Sequence, residues 1–421
     1  MLEGQNRQFE RKVVKVTDNV FTAVGYHGAN TSMIVGSDGV IIVDTLKGPA
    51  SAASALEALR AHSDKPVKAI LYTHSHGDHI GGASAFVGGD KPEIYAMENF
   101  GTAEDGINKS VNPVKAKRNV RQFGRNLPPH EMTNRGVAPA GTHDHDGGNG
   151  FVPPTVRVPA DGLTTTIAGV TLEFHPAPGE TDDAMFIWLP HEEVLFAGDN
   201  FYHAFPNLYA IRGTSYRDVL NWSASVATMA EFNPKFLVPG HTMPILDQAS
   251  AVAALKNYSD AIRSVYDQTV IGINAGKSPD QIAHEVRLPA HLADQPYLVE
   301  FYGSVPHAVR AIYAGLLGWF DGNPTTLNPK VRATKVARLA GGTMALTSEM
   351  NDALTAGDYQ WALELSDHLK WLEDADRKLA RNAKIQALRG LASREFNAPN
   401  RNYYLSYANE LESGKLSEIW F

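Results

Sequence analysis

Thr73-His74-Ser75-His76-Gly77-Asp78-His79 constrains this chain more than any other stretch. Four side chains able to ligate a metal, His74, His76, Asp78 and His79, stand within it. The preceding run Val67-Lys68-Ala69-Ile70-Leu71-Tyr72 is short and apolar and predicts a buried strand. The following Ile80-Gly81-Gly82-Ala83-Ser84-Ala85-Phe86 can start a helix. The ligand types therefore fall on a strand-to-helix loop, where site residues gather in α/β proteins. His74 and His76 alternate and can point to one side of an extended segment, while Asp78 and His79 lie on the turn beyond. A single ion has no need of four ligands from one loop, so the spacing suggests two ions sharing the site. Imidazole and carboxylate suit zinc and its neighbours, and the chain has no cysteine to supply a thiolate.

The absence of cysteine also excludes disulfides. With 421 residues, 43% hydrophobic and 20% charged, the composition is that of an ordinary globular chain of two or three domains. A net charge of −8 without clustered basic residues argues against nucleic acid and anionic membranes as partners. No apolar run is long enough to span a bilayer. Met1 to Asn6 lacks signal-peptide features. Export with the signal removed, to the periplasm or outside the cell, is the favoured expectation, with a cytoplasmic location the alternative.

Other strand ends carry matching residues. Ser32–Val35 and Val40–Val43 flank the turn Gly36-Ser37-Asp38-Gly39 and predict a hairpin, with Asp44 directly after it as a group that can hydrogen-bond the metal loop. Ala50 to His62 has helical periodicity. Further strands are expected at Val170–Phe174, Met185–Leu189, Val194–Ala197 and Lys235–Val238, with a helix from Tyr216 to Ala230. Pro178-Gly179-Glu180, Gly198-Asp199 and Pro239-Gly240-His241 follow three of these strands, so Glu180, Asp199 and His241 can share one edge with the first loop. Between them, residues 124 to 155 read as a long polar loop, and His143-Asp144-His145-Asp146 within it is a weaker cation-site pattern. From 246 onward the chain reads as helical.

These segments resemble the metallo-β-lactamase superfamily, whose pattern His74, His76, Asp78, His79, Asp199 and His241 match one by one. The resemblance covers residues 13 to 245 and implies an α/β fold, a four-layer αβ/βα sandwich. Where the superfamily reads PGHT, this chain reads PGET, placing Glu180 at a histidine position as in the alkyl sulfatase branch. Asn207-Leu208-Tyr209-Ala210-Ile211-Arg212-Gly213 with Arg217-Asp218 and Trp222 is similar to that branch. So are Phe301-Tyr302-Gly303-Ser304-Val305-Pro306-His307, Gly318-Trp319-Phe320-Asp321-Gly322-Asn323-Pro324, Gly357 to Ala362 and Asn402 to Ser406. The branch usually has Glu where Asp199 stands, and it commonly continues into a sterol-carrier-like domain near where this chain stops.

The resemblance implies a catalytic domain over 1–245 and an all-α dimerisation domain over 246–421, hence a homodimer. It implies two Zn2+ per subunit, one held by His74, His76 and Glu180, the other by Asp78, His79 and His241, with Asp199 between them. The implied reaction is hydrolysis of an anionic sulfate monoester, alkyl or aryl, by a metal-activated water. Arg212 is the expected sulfate-binding fork, Tyr302 a hydrogen-bond donor to sulfate, and His307 an acid for the leaving alkoxide. Phe205 and Trp319 are the aromatics expected along an alkyl channel. A lactone or β-lactam hydrolase on the same fold is the competing expectation, disfavoured by Glu180 and Arg212. A metal-binding dimer without catalysis is the other.

Overall fold

The computed structural model describes residues 1–101, 111–141 and 146–414. They form two compact units, one of Met1–Pro113 with Asn134–Trp319 and one of Val114–Thr133 with Phe320 onward. His143, Asp144 and His145 of the weaker cation pattern lie outside the described residues.

The first unit is built on two sheets. One holds seven strands in sequence order: β1 (Lys12–Lys15), β2 (Val20–Val24), β3 (Thr31–Val35), β4 (Val40–Val43), β5 (Val67–Leu71), β6 (Glu93–Met97) and β7 (Val156–Val158). The other runs β12 (Phe236–Pro239), β11 (Val194–Gly198), β10 (Met185–Leu189), β9 (Val170–Pro176), β8 (Leu163–Ile167). The hairpin is present: β3 and β4 pair antiparallel and Gly36 N donates to Gly39 O at 2.9 Å.

Alternation along the strands explains the layering. Ile41 and Val43 of β4, with Met185, Ile187 and Leu189 of β10, pack between the two sheets. The intervening Val40 and Ile42 face the helices Pro49–Arg60 and Ala83–Val87 through Ala52, Ala55, Leu59 and Phe86. Phe186 and Trp188 face the other way, toward Val226 and Met229 of the helix Val219–Glu231. Helix, sheet, sheet, helix gives the expected four-layer αβ/βα sandwich. Strands buried on both faces read as unbroken apolar runs, which is why β4, β10 and β11 are legible in the sequence.

The helices that follow 245 do not leave this unit at once. Leu255, Tyr258, Ile262 and Val265 of Gln248–Asn274, and Val309 and Ile312 of Val305–Leu317, complete the same core as Val226 and Met229. The expected boundary at 245/246 thus falls inside the first compact unit, because these faces are apolar and need the second sheet to cover them.

The second unit is helical. Pro329–Ala340, Thr343–Ala356, Tyr359–Leu369, Arg377–Arg394 and Ala398–Glu412 enclose Ala337, Leu346, Met350, Leu365, Leu388 and Leu411. Asp358, Asp376 and Asn397 cap three of these helices through their side chains. Arg121 joins residues 114–133 to the last helix through Glu410, with Nη2 to Oε2 at 2.6 Å.

Candidate metal centre

The strand ends converge as the spacing predicts. Asp44 follows β4, the His74–His79 loop follows β5, Glu180 follows β9, Asp199 follows β11 and His241 follows β12. The pairs β4–β5 and β11–β12 are parallel, so each pair delivers its following loops to one edge. The two sheets meet there: Met185 N donates to Thr73 O at 2.9 Å.

Among the described residues, two groups each bring their ligand atoms within 4.8 Å of one another: His74, His76 and Asp199 in one, Asp78, His79 and His241 in the other. Asp199 approaches both. Its Oδ1 is 3.2 Å from His79 Nε2, and its Oδ2 is 3.3 Å from His241 Nε2 and 3.5 Å from His74 Nε2. Asp78 Oδ2 is 3.6 Å from His241 Nε2.

The ring tautomers are set by what lies behind them. Asp44 Oδ2 is 2.7 Å from His79 Nδ1 and accepts from Thr73 Oγ1 at 2.8 Å. With its proton so committed, Thr73 Oγ1 can accept from His74 Nδ1 at 3.0 Å. His241 Nδ1 donates to Gly28 O at 2.8 Å, since a carbonyl can only accept. Each of these histidines then carries its proton on Nδ1 and turns a bare Nε2 inward.

That arrangement fits divalent cations. The Nε2 atoms of His79 and His241 face each other at 3.4 Å, an arrangement that repels unless a positive charge lies against both. His74 Nε2 and Asp199 Oδ1 are buried with no hydrogen-bond partner, a costly state that a cation would relieve. Protonation is the other way to relieve it. Burial opposes a charged His79, but Asp199 and Asp44 outweigh burial and hold its pKa well above the ordinary value. Burial likewise opposes an ionised Asp199, and His241, His79 and His74 overcome it, holding Asp199 well below the carboxylate range. The chain thus provides a divalent metal site.

Glu180 belongs to neither group. It borders them, its Oε1 3.8 Å from His76 Nδ1 and 3.0 Å from Arg217 Nη1, while the Tyr202 hydroxyl donates to Oε2 at 3.3 Å. Its backbone N donates to Asn200 Oδ1, and Asn200 Nδ2 donates to Ala177 O. Gly179 is required there, since a Cβ would stand 2.2 Å from Asn200 Oδ1.

Arg212 is buried, as is Tyr302. Burial chiefly keeps the Tyr302 proton on; Glu180 adds to that effect and Arg212 and Arg217 oppose it, so all three charged groups act on Tyr302. Tyr302 packs edge-on to Tyr202 with ring centroids 5.6 Å apart. His307 lies in the first turn of Val305–Leu317, and burial, aided by Arg310, pulls its pKa down to about 4. The ring is then uncharged at neutrality, a poor source of a proton. Neither Phe205 nor Trp319 has the partial exposure of a side chain lining a cleft beside the ligand clusters. Phe205 is sealed in the core at 0% exposure, and Trp319 is 76% exposed.

Arg217 and Tyr202 as partners of Glu180, and the buried His27, which pairs with Asp146 at 3.3 Å, escape sequence reasoning. Arg217 has a signal in hindsight, standing five residues past Arg212 and just before the capping Asp218. Tyr202 stands three residues past Asp199, whereas His27 reaches the site only through the fold.

The Metallo-beta-lactamase superfamily profile matches residues 24–241, and that of Alkyl sulfatase dimerisation matches residues 278–414. A linear primary-alkylsulfatase from Pseudomonas sp. is 38% identical over 396 residues, covering 91% of this chain and 74% of the relative. The alkyl/aryl-sulfatase BDS1 of Saccharomyces cerevisiae is 31% identical over 415 residues, covering 95% of this chain and 64% of its own length. The solved stereoselective inverting sec-alkylsulfatase Pisa1 from Pseudomonas sp. superposes with a TM-score of 0.87 at 29% identity. That match covers 96% of this chain and 66% of that structure. The chain therefore belongs to the alkyl sulfatase family of the metallo-β-lactamase superfamily.

Proposed function

We propose that this chain hydrolyses sulfate monoesters of alkyl alcohols, with aryl esters a secondary class, at a site holding two zinc ions per subunit. The observation that carries the reading is the pair of ligand clusters sharing Asp199, with buried Tyr302 close enough to feel Asp78, Glu180 and Arg212. When bound, paired divalent ions lower the pKa of water toward neutrality and stabilise developing negative charge. The protein's own groups do the rest. Asp44 holds His74 and His79 in the tautomer that turns Nε2 inward. Arg212 grips the ester sulfate with a planar fork, and Tyr302, protonated at all ordinary pH values, donates a hydrogen bond to it. For alkyl esters an uncharged His307 suits attack of water at the sp3 carbon: the new C–O bond forms as the ester C–O bond breaks, sulfate departs with the electron pair, and the attacking water gives up one proton to solvent. An aryl ester, whose carbon cannot be displaced in line, would have to open at its S–O bond. Sulfate is a weak base and needs no proton on leaving. Hydrolysis in oxygen-18 water tests this, with label in the alcohol expected and label in sulfate overturning it. The helical region matched by the dimerisation profile supports a homodimer.

Turnover of octyl sulfate, nitrophenyl sulfate and a chromogenic β-lactam tests the function itself. Cleavage of the lactam alone defeats the sulfatase reading. Metal analysis separates enzyme from metal-binding scaffold: two zinc ions per subunit are expected, and fewer than about one, not restored by added zinc, favours the scaffold. Arg212→Ala should cut octyl sulfate turnover about a hundredfold or more with zinc content unchanged.

A further inference from the structure

Arg217 and Tyr202 take no part in the chemistry above, yet the Glu180 carboxylate rests on both. Arg217 Nη1 lies 3.0 Å from Glu180 Oε1 and donates to Asn207 O at 2.6 Å. The Tyr202 hydroxyl donates to Glu180 Oε2 at 3.3 Å and accepts from Asn207 N at 2.8 Å. Each side chain touches one carboxylate oxygen and one side of the Asn207 backbone, closing a ring. Asn207 opens the segment that carries Arg212, and the Arg217 and Glu180 side chains are each only 3% exposed, so water cannot stand in for these bonds. Two further contacts press on the start of that segment. Gly303 N donates to Phe205 O at 3.0 Å, and a Cβ on Gly303 would stand 1.9 Å from Pro206 O.

We infer that Arg217 and Tyr202 are positioning residues that lock the Arg212 segment to Glu180, so that one carboxylate beside the metal cluster also sets the anion-binding guanidinium. The charges point the same way. Glutamate at position 180, where the superfamily has histidine, brings a negative charge toward a site meant for an anion. Arg217 in direct contact offsets that charge without occupying the substrate's place. Burying the pair is tolerable because both carboxylate oxygens are engaged. Tyr302 feels Glu180, Arg212 and Arg217 together, which places the clamp beside the groups that meet the sulfate.

The inference rests on Arg212 binding sulfate, and the test separates the two. Zinc-loaded full-length Arg212→Ala, Arg217→Lys and Tyr202→Phe are compared by calorimetric binding of inorganic sulfate, zinc per subunit, and kcat and KM for octyl sulfate. Tyr202→Phe should raise the sulfate Kd and the KM about tenfold, with kcat within about threefold and zinc unchanged. Arg217→Lys keeps the charge, but a shorter side chain ending in a single ammonium cannot reach the point from which Arg217 Nη1 meets both Asn207 O and Glu180, so it should shift the same quantities further. Sulfate affinity within about twofold of the parent in both, while Arg212→Ala loses it, overturns the clamp and leaves Arg212 standing. Normal sulfate binding by Arg212→Ala sinks the Arg212 reading and the clamp with it. Loss of zinc in Tyr202→Phe assigns the pair to the metal cluster alone and also overturns the clamp. Should Arg217→Lys fail to fold, Tyr202→Phe, which deletes one oxygen, decides by itself.

Discussion

Asp44 sits at φ 56°, in the left-handed region that aspartate tolerates better than most side chains. From there one carboxylate reaches Thr73 N, Thr73 Oγ1 and His79 Nδ1. Its reach decides the tautomer of two histidines through acceptance on every side, while its charge adds to Asp199 in holding the His79 pKa up. Asp44→Asn would put an NH2 against Thr73 or His79 where only an acceptor fits. Zinc affinity should fall about ten- to a hundredfold, read by chelator competition, with the fold retained. His203 makes a second prediction at this scale. Burial pulls its pKa down to about 4, while Nε2 bonds to Met243 O at 3.1 Å. The unfolded chain takes up this proton near pH 6.5 and the folded one only near 4, so stability is present above 6.5 and lost as pH falls toward 4. For zinc-free protein, His203→Gln should flatten that loss by up to about 1.4 kcal/mol per pH unit, measured by urea unfolding at stepped pH. A slope equal to the parent's would remove His203 from the account.

At the scale of elements, the site was legible because each contributing strand announces itself locally. β4, β5, β10, β11 and β12 are apolar runs, and the polar residue just past four of them is Asp44, Thr73, Asp199 or His241. Less was legible where the local pattern is weak. β7 is three residues, Val156-Arg157-Val158, and β8 is Leu163-Thr164-Thr165-Thr166-Ile167, each at a sheet edge and half exposed. Glu180 was legible as a strand-end carboxylate, but its engagement by Arg217 depends on a residue 37 positions away whose approach no spacing rule encodes. The loop after β12 shows how close the backbone packing is. Gly240 N donates to Gly198 O at 2.7 Å, Asn30 N donates to Gly240 O at 2.7 Å, and a Cβ on Gly240 would stand 2.3 Å from Asp199 Oδ1. Gly240→Ala must push either Asp199 or the His241 loop aside. The expected result is loss of zinc and of activity together, with far-UV dichroism unchanged. Retained zinc at parental affinity would mean that the loop yields without disturbing Asp199.

At the scale of the whole molecule, two compact units with separate cores need not unfold in one transition. Both candidate ligand clusters belong to the first unit, where His74 Nε2 and Asp199 Oδ1 are buried without a hydrogen-bond partner. A ligand that binds only the folded form stabilises it by about 2.7 kcal/mol at a hundred times its Kd. Zinc should therefore raise the melting temperature of the unit that holds Tyr302, Trp222 and Trp188, and chelation should lower it. The helical unit, with Trp361 and Trp371 beside its own core, carries no residue of either ligand cluster, and its transition should stay in place. Calorimetric scans with and without chelator distinguish the outcomes. One moving and one fixed transition is expected. A single transition that moves as a whole would show that the units fold as one cooperative body despite their separate cores.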